Sequence, residues 1–137
     1  MNLDSELRRV AEKAVAYAAE GEELAGIVPA EPAGGLRFHV CAYGQENETS
    51  WLVLDATGVP VEERSLVRDA VSIAALCEVA EDAAGVEPDS ARLASPGYLD
   101  ELGAGGGTDV AAALKNASGT IEELLDDVER RYKLALQ

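Results

Sequence analysis

The sequence predicts an α+β fold in which helices surround a small antiparallel sheet. Two short segments with the alternation and residue types of β-strands follow one another directly, which favours a hairpin. Longer segments on both sides carry apolar residues at steps of three and four, as amphipathic helices do. The chain has 137 residues, 47% of them hydrophobic, so we expect a single domain with a buried core.

The first predicted element is an N-terminal helix that begins at Asp4 or Ser5 and ends at Gly21. Its apolar residues fall on one stripe: Leu3, Leu7, Val10, Ala14 and Tyr17. The segment Ala25–Pro29 is compatible with a third, short strand. Its prolines would confine that strand to an edge of the sheet.

The hairpin is predicted from Leu36–Tyr43 and Ser50–Asp55, which the polar stretch GQENET separates. Alternate residues of a strand share a face, so the segments divide into two sets. The set assigned to the core is Leu36, Phe38, Val40, Ala42, Leu52 and Leu54. The set on the opposite face is Arg37, His39, Cys41, Tyr43, Trp51, Val53 and Asp55. One register keeps this division, with three opposed pairs: Tyr43 and Trp51, Cys41 and Val53, and His39 and Asp55.

The segment from Val61 to Gly85 carries the strongest helix pattern in the chain. Between Ala70 and Cys77 only Ser72 is polar, so the helix is apolar on nearly every side. We therefore expect a long helix that is central to the fold and covered on more than one side.

The last third of the sequence predicts a linker followed by a helical pair. Residues 86–107 form the linker, with a short helix from Ser95 and a glycine-rich hinge, GAGGG, at its end. Thr108 is placed to cap the next helix, and residues 108–117 and 118–137 each have helical periodicity. A hinge at this position allows the pair to pack on the body, residues 1–85, or on a neighbouring subunit.

The net charge excludes two classes of partner, and the first residues and the cysteines indicate the cellular compartment and the state of the thiols. The formal net charge of −15 repels nucleic acids and anionic membrane surfaces. The start MNLDSELRR lacks the basic and apolar regions of a signal peptide, so we expect a cytoplasmic protein. Cys41 and Cys77 lie in apolar segments without CxxC spacing, which predicts buried thiols outside any disulfide or zinc site.

The chain's single histidine suggests one catalytic hypothesis. Cys41 would be a nucleophilic thiol, His39 would activate it, and Asp55 would orient the imidazole. Two other interpretations of the same face stay open. It is an interface, formed by Arg37, His39, Tyr43, Trp51 and Val53, or it is a groove for a small molecule.

The glycine-rich segment does not match a nucleotide-binding loop, because it lacks the lysine of a P-loop and follows no strand. LVLDATG and GGGTDVAAAL together resemble the two metal-binding loops of von Willebrand factor type A domains. The resemblance implies a divalent cation held by Asp55, Thr57 and Thr108 in a parallel sheet. The sequence departs from that pattern at Val59, where the family has a hydroxyl residue.

These patterns favour an interaction or oligomerisation domain, acting as a homodimer or on a protein partner, without catalytic activity and without a cofactor. The alternative is a domain that binds a small molecule or a divalent metal on the hairpin face. That face would supply Arg37, His39, Cys41, Tyr43, Trp51 and Asp55.

Overall fold

The computed structural model describes residues 3–32, 35–87 and 93–135, and it confirms the α+β class. In chain order the elements are α1 (Leu3–Ala16), β1 (Glu23–Ala30), β2 (Phe38–Gln45), β3 (Glu48–Asp55), α2 (Arg64–Ala84) and α3 (Pro96–Ala135). The strands form one antiparallel sheet in the order β1-β2-β3. None of the helices in the described ranges is both long enough and apolar enough to cross a membrane.

The third strand predicted from the sequence is present as β1, at an edge of the sheet. It is longer than predicted and contains a bulge between Leu24 and Gly26. The carbonyl oxygen of Pro29 accepts a 2.9 Å hydrogen bond from the amide of Ala94, which lies beyond the edge. The backbone nitrogen of Pro29, which carries no hydrogen, therefore also faces away from β2, and its missing N–H removes no hydrogen bond between the two strands.

Helices cover both faces of the sheet. On one face, the hydroxyl of Tyr43 donates a 2.6 Å hydrogen bond to the carbonyl oxygen of Ala14 in α1. On the other face, the guanidinium of Arg131 in α3 lies 5.9 Å from the centre of the Trp51 ring. Successive residues of β2 are consequently buried whichever way they point, and His39 is 0% exposed.

The predicted hairpin register is wrong by one residue. The observed pairs include Phe38 with Asp55, His39 with Leu54, Val40 with Val53, Cys41 with Leu52, Ala42 with Trp51 and Tyr43 with Ser50. Both faces of β2 are buried, so its apolar pattern alone does not select a register. The connection selects it, because Glu46 and Asn47 alone join the strands and Glu46 has a positive φ of 54°.

The long, central helix expected after the hairpin is α2. Its buried residues are Val67, Ala70, Val71, Ile73, Ala74, Cys77, Ala80 and Glu81. It ends at Gly85, whose φ of 71° is the left-handed conformation that glycine adopts without strain. α2 packs against α3, and Arg68 of α2 donates a 3.0 Å hydrogen bond to Glu129 of α3.

The C-terminal region differs from the predicted linker and helical pair. Residues 96–106 of the predicted linker are helical, and residues 88–92 lie outside the described part of the chain. α3 is interrupted at Gly107, where φ is 59° and ψ is −135°, and Gly119 does not interrupt it. Ile121, Leu125 and Val128 of this helix are buried in the same core cluster as residues of α1, the sheet and α2.

Candidate functional site

The structure divides the hairpin face that the sequence predicts. His39, Cys41 and Tyr43 point towards α1, whereas Trp51 and Val53 point to the face that α3 covers. The division follows directly from the register, because a shift of one residue turns every side chain of one strand to the opposite face. The hairpin residues proposed as an interface or a ligand groove therefore do not form one surface.

A buried acid, Glu6 on α1, organises the residues on the first face. One of its carboxylate oxygens lies 3.2 Å from Nε2 of His39. Both oxygens accept hydrogen bonds of 3.2 Å from Arg37. Sequence reasoning missed Glu6, although it lies three residues after Leu3 and four before Val10, on the apolar stripe of the helix.

Burial favours the neutral form of His39. Burial lowers the pKa of His39 and the charge of Arg37 lowers it further, while Glu6 and the backbone of Asp55 act in the opposite direction. The carboxylate of Glu6 lies beside the imidazole of His39 and accepts hydrogen bonds from Arg37, and these contacts connect α1 to β2 and the residue before it. Nε2 of His39 lies near Glu6 and not near a substrate-accessible surface, because His39 is fully buried.

The environment of Cys41 is unfavourable to the nucleophile hypothesis. The thiol is fully buried and points towards the backbone carbonyl oxygen of His39, 3.6 Å away. Burial raises the pKa of Cys41 to about 12. A reactive cysteine needs the reverse, a lowered pKa and access to solvent.

Asp55 stabilises the turn that follows β3. Its Oδ1 accepts hydrogen bonds from the amide of Thr57 at 2.9 Å, from the hydroxyl of Thr57 at 2.6 Å and from the amide of Val59 at 3.0 Å. Burial would raise the pKa of this carboxyl, but the hydrogen bonds from Thr57, Val59 and Gly58 hold it below its ordinary value. The carboxylate is thus already engaged by its own turn.

The structure brings together two of the three residues named as metal ligands. Asp55 and Thr57 are in contact, whereas Thr108 is exposed on α3, two residues before Val110, which is buried with Ala80 of α2. The sheet is antiparallel, unlike the parallel sheet that the resemblance implies. Within the described ranges, no group of three or more His, Cys, Asp or Glu residues is arranged to hold a metal ion.

A polar groove of about 450 Å³ lies between the hairpin end and the last turns of α3. Three of its charged residues, Glu22, Arg130 and Arg131, already have contacts within the chain. Ser50 donates a 2.6 Å hydrogen bond to Glu22, and Nε of Arg131 lies 3.2 Å from Asp127. Arg131 also donates to the backbone carbonyl oxygen of Thr49.

A second groove, of about 400 Å³, runs between α2 and α3 and is mainly apolar. Its apolar residues are Ala75, Val79, Val86, Ala117, Ile121 and Leu124. The exposed acids Glu78 and Asp82 lie along it. Sequence reasoning missed this groove, although both rows of residues follow helical spacing, because spacing does not show which parts of two apolar stripes stay uncovered.

The two edges of the sheet also differ. The chain contacts the outer edge of β3 at separate points, since Val61 donates to the carbonyl oxygen of Val53 at 2.8 Å and Arg131 donates to that of Thr49. Along β1 the short segment at Ala94 lies against the outer edge, opposite Pro29 and Ala30. Among the described residues, none pairs with the outer edge from Glu23 to Val28.

The described surface thus contains two features that internal contacts leave available, the outer edge of β1 and the apolar groove between α2 and α3. The histidine, thiol and carboxylate of the catalytic hypothesis are instead buried or engaged within the fold. Comparison of the chain with family models, curated proteins and solved structures gave no match.

Proposed function

We propose that the protein is a small acidic cytoplasmic interaction domain without catalytic activity, and that it forms a homodimer through the outer edge of β1. The observation that carries the proposal is the contrast between the two edges of the sheet. The following turn and Arg131 contact β3 at Thr49, Val53 and Asp55, whereas no described residue pairs with the outer edge of β1 from Glu23 to Val28. An unpaired strand edge is a template for pairing with another chain.

The backbone of β1 has the geometry that such pairing needs. The carbonyl oxygen of Pro29 points away from β2, so alternation turns the N–H and C=O groups of Ile27 outwards as well. Ala25 and Gly26 are exposed and small, which allows a second strand to approach. Antiparallel pairing of two β1 strands would give a continuous sheet of six strands with two-fold symmetry.

The charge of the protein opposes this association. Each copy carries a formal net charge of −15, and Glu23 lies in the pairing strand itself. Salt screens such repulsion, with a Debye length of about 8 Å at physiological ionic strength. The dimer should therefore be favoured by added sodium chloride, the reverse of an association driven by opposite charges.

The test is the solution mass, measured by size-exclusion chromatography with light scattering over a range of protein and salt concentrations. We expect wild type and Ile27→Val to form dimers and Ile27→Pro to be a monomer. Both substitutions shorten the side chain, but only proline removes the outward N–H, and it removes no hydrogen bond to β2. Circular dichroism of each variant checks that it is folded.

Two results would overturn the proposal. One is a wild type that stays monomeric at every protein and salt concentration. The other is an Ile27→Pro variant that is folded and dimerises as strongly as Ile27→Val.

A further inference from the structure

The groove between α2 and α3 has the shape and lining of a site for a third helix. Ala75 and Val79 line it from α2, and Ala117, Ile121 and Leu124 line it from α3. Ile121 is buried, but the other four are only partly covered, so apolar surface stays open to solvent between the helices. From Ala75 to the end of α2 the groove is about 15 Å long at 1.5 Å per residue, which a helix of three turns would fill.

The segments that form this groove are acidic. Residues 75–87 contain four acids and no Lys or Arg, and residues 116–128 have the same balance. On the α3 side, Arg68 lies 3.8 Å from both Glu122 and Asp126 and so neutralises part of that charge. On the α2 side, Glu78 and Asp82 are exposed beside the apolar lining. The groove therefore combines an apolar floor with a negative rim.

We infer that this groove binds a basic amphipathic helix of a partner protein. Leucine-like side chains at helical spacing would fill the space between the two apolar rows, and Lys or Arg on the flanks would face Glu78 and Asp82. This partner is separate from the second copy proposed at β1, because the two surfaces belong to different elements and the inference uses none of the β1 contacts.

Charge decides between a partner helix and a second copy of the chain. A second copy docked on this groove would bring two acidic rims together in a molecule whose net charge is already −15. A basic helix instead reverses the sign of that interaction. The association should then weaken as salt is added, which is the opposite of the behaviour expected for the β1 dimer.

The test uses fluorescence anisotropy with a labelled helical peptide of leucine and lysine, about 12–14 residues long, with leucine at helical spacing. A second peptide has glutamate at every lysine position and tests the sign of the charge. Ala117→Trp fills the groove, and Ala112→Trp places the same side chain at an exposed position of α3 outside the lining.

The charge is tested by Glu78→Lys with Asp82→Lys, which reverses the rim. Its control is Glu12→Lys with Glu20→Lys, which makes the same change in net charge at exposed positions outside the groove. We expect Ala117→Trp and the rim reversal to raise the Kd for the basic peptide about tenfold or more. The two controls should change it by no more than about twofold.

Four results would overturn the inference. The wild type gives no saturable binding of the basic peptide, or the acidic peptide binds equally well. The two charge reversals weaken binding equally, which would mean general electrostatic attraction. Lastly, Ala117→Trp dissociates the free protein's oligomer, which would mean that a second copy occupies the groove. Ile27→Pro measured alongside separates the two proposals, because it should bind the peptide as wild type does.

Discussion

Tyr43 donates its hydroxyl to the carbonyl oxygen of Ala14 over 2.6 Å and so joins the last turn of α1 to the central strand of the sheet. Tyr132 in α3 is as deeply buried, but its hydroxyl has no hydrogen-bond partner among the described residues. Burial, followed by the charge of Glu62, raises the pKa of Tyr132 to about 12. Both tyrosines thus have a buried hydroxyl, but only that of Tyr43 has a hydrogen-bond partner among the described residues.

Replacement of each tyrosine by phenylalanine should change stability in different directions. Tyr43→Phe removes one of two donors to the Ala14 carbonyl oxygen, which keeps the amide of Tyr17 at 3.1 Å, and should lower the free energy of unfolding by about 0.5–1.5 kcal/mol. Tyr132→Phe removes a buried hydroxyl that makes no such bond, so the free energy should stay the same or rise. Urea unfolding followed by circular dichroism measures both. Equal losses in the two variants would contradict the assignment.

Two glycines of α3 provide a second matched pair. The φ of 59° and ψ of −135° at Gly107 are accessible almost only to glycine, so Gly107→Ala should cost about 1–3 kcal/mol of stability. Gly119 lies inside regular helix with open space around it, so Gly119→Ala should add about 0.5–1 kcal/mol. Thermal unfolding of the two variants tests the location of the break. A stabilising Gly107→Ala would show that the helix is continuous there.

The lowered pKa of His39 predicts how stability depends on pH. The folded protein binds the imidazole proton less tightly than the unfolded chain, whose histidine pKa is about 6.5. The contribution of His39 is therefore complete above about pH 6.5 and decreases as the pH falls towards the folded pKa. The difference in unfolding free energy between wild type and His39→Phe should shrink from pH 7 to pH 5. The comparison cancels most of the titration of the shared carboxylates, and a constant difference would contradict it.

Cys41 should be inert in the folded protein. With its pKa raised to about 12 by burial, the thiol is almost entirely protonated at neutral pH and has no access to reagent. A Cys77→Ala variant isolates its reaction with a chromogenic disulfide reagent. We expect negligible reaction before urea is added and one thiol per chain afterwards. Reaction faster than that of free cysteine at neutral pH would instead restore the nucleophile hypothesis.

The sequence predicts the elements better than their register. Helical periodicity located α1 and α2, and the prolines correctly placed Pro29 at an edge strand. The predicted hairpin register was wrong because both faces of β2 are buried, Phe38 and Val40 on one and His39 and Cys41 on the other. The polar ends of β2 and β3 looked like a loop, although they pair up to Gln45 and Glu48.

The glycine-rich segment shows a similar limit. Its composition predicts a hinge, and a break does occur at Gly107, but the preceding glycines are helical because Leu102 and Val110 pack with Ala80 of α2. At Gly106 a Cβ atom would overlap the side chain of Val110 and lie 3.4 Å from Cβ of Ala84, so glycine at this position permits the close approach of α2. Tertiary contacts of this kind are outside the reach of local composition.

The cover on β3 has a consequence for the size of any assembly built by strand pairing. A sheet with one available edge can add a single neighbour, and two-fold pairing then leaves no site for growth. In the proposed dimer, the contact of Arg131 with the carbonyl oxygen of Thr49 and the turn at Val61 would therefore hinder further strand pairing at β3. Without these contacts each copy would have two sheet edges able to pair, and open-ended fibres would form instead of closed dimers.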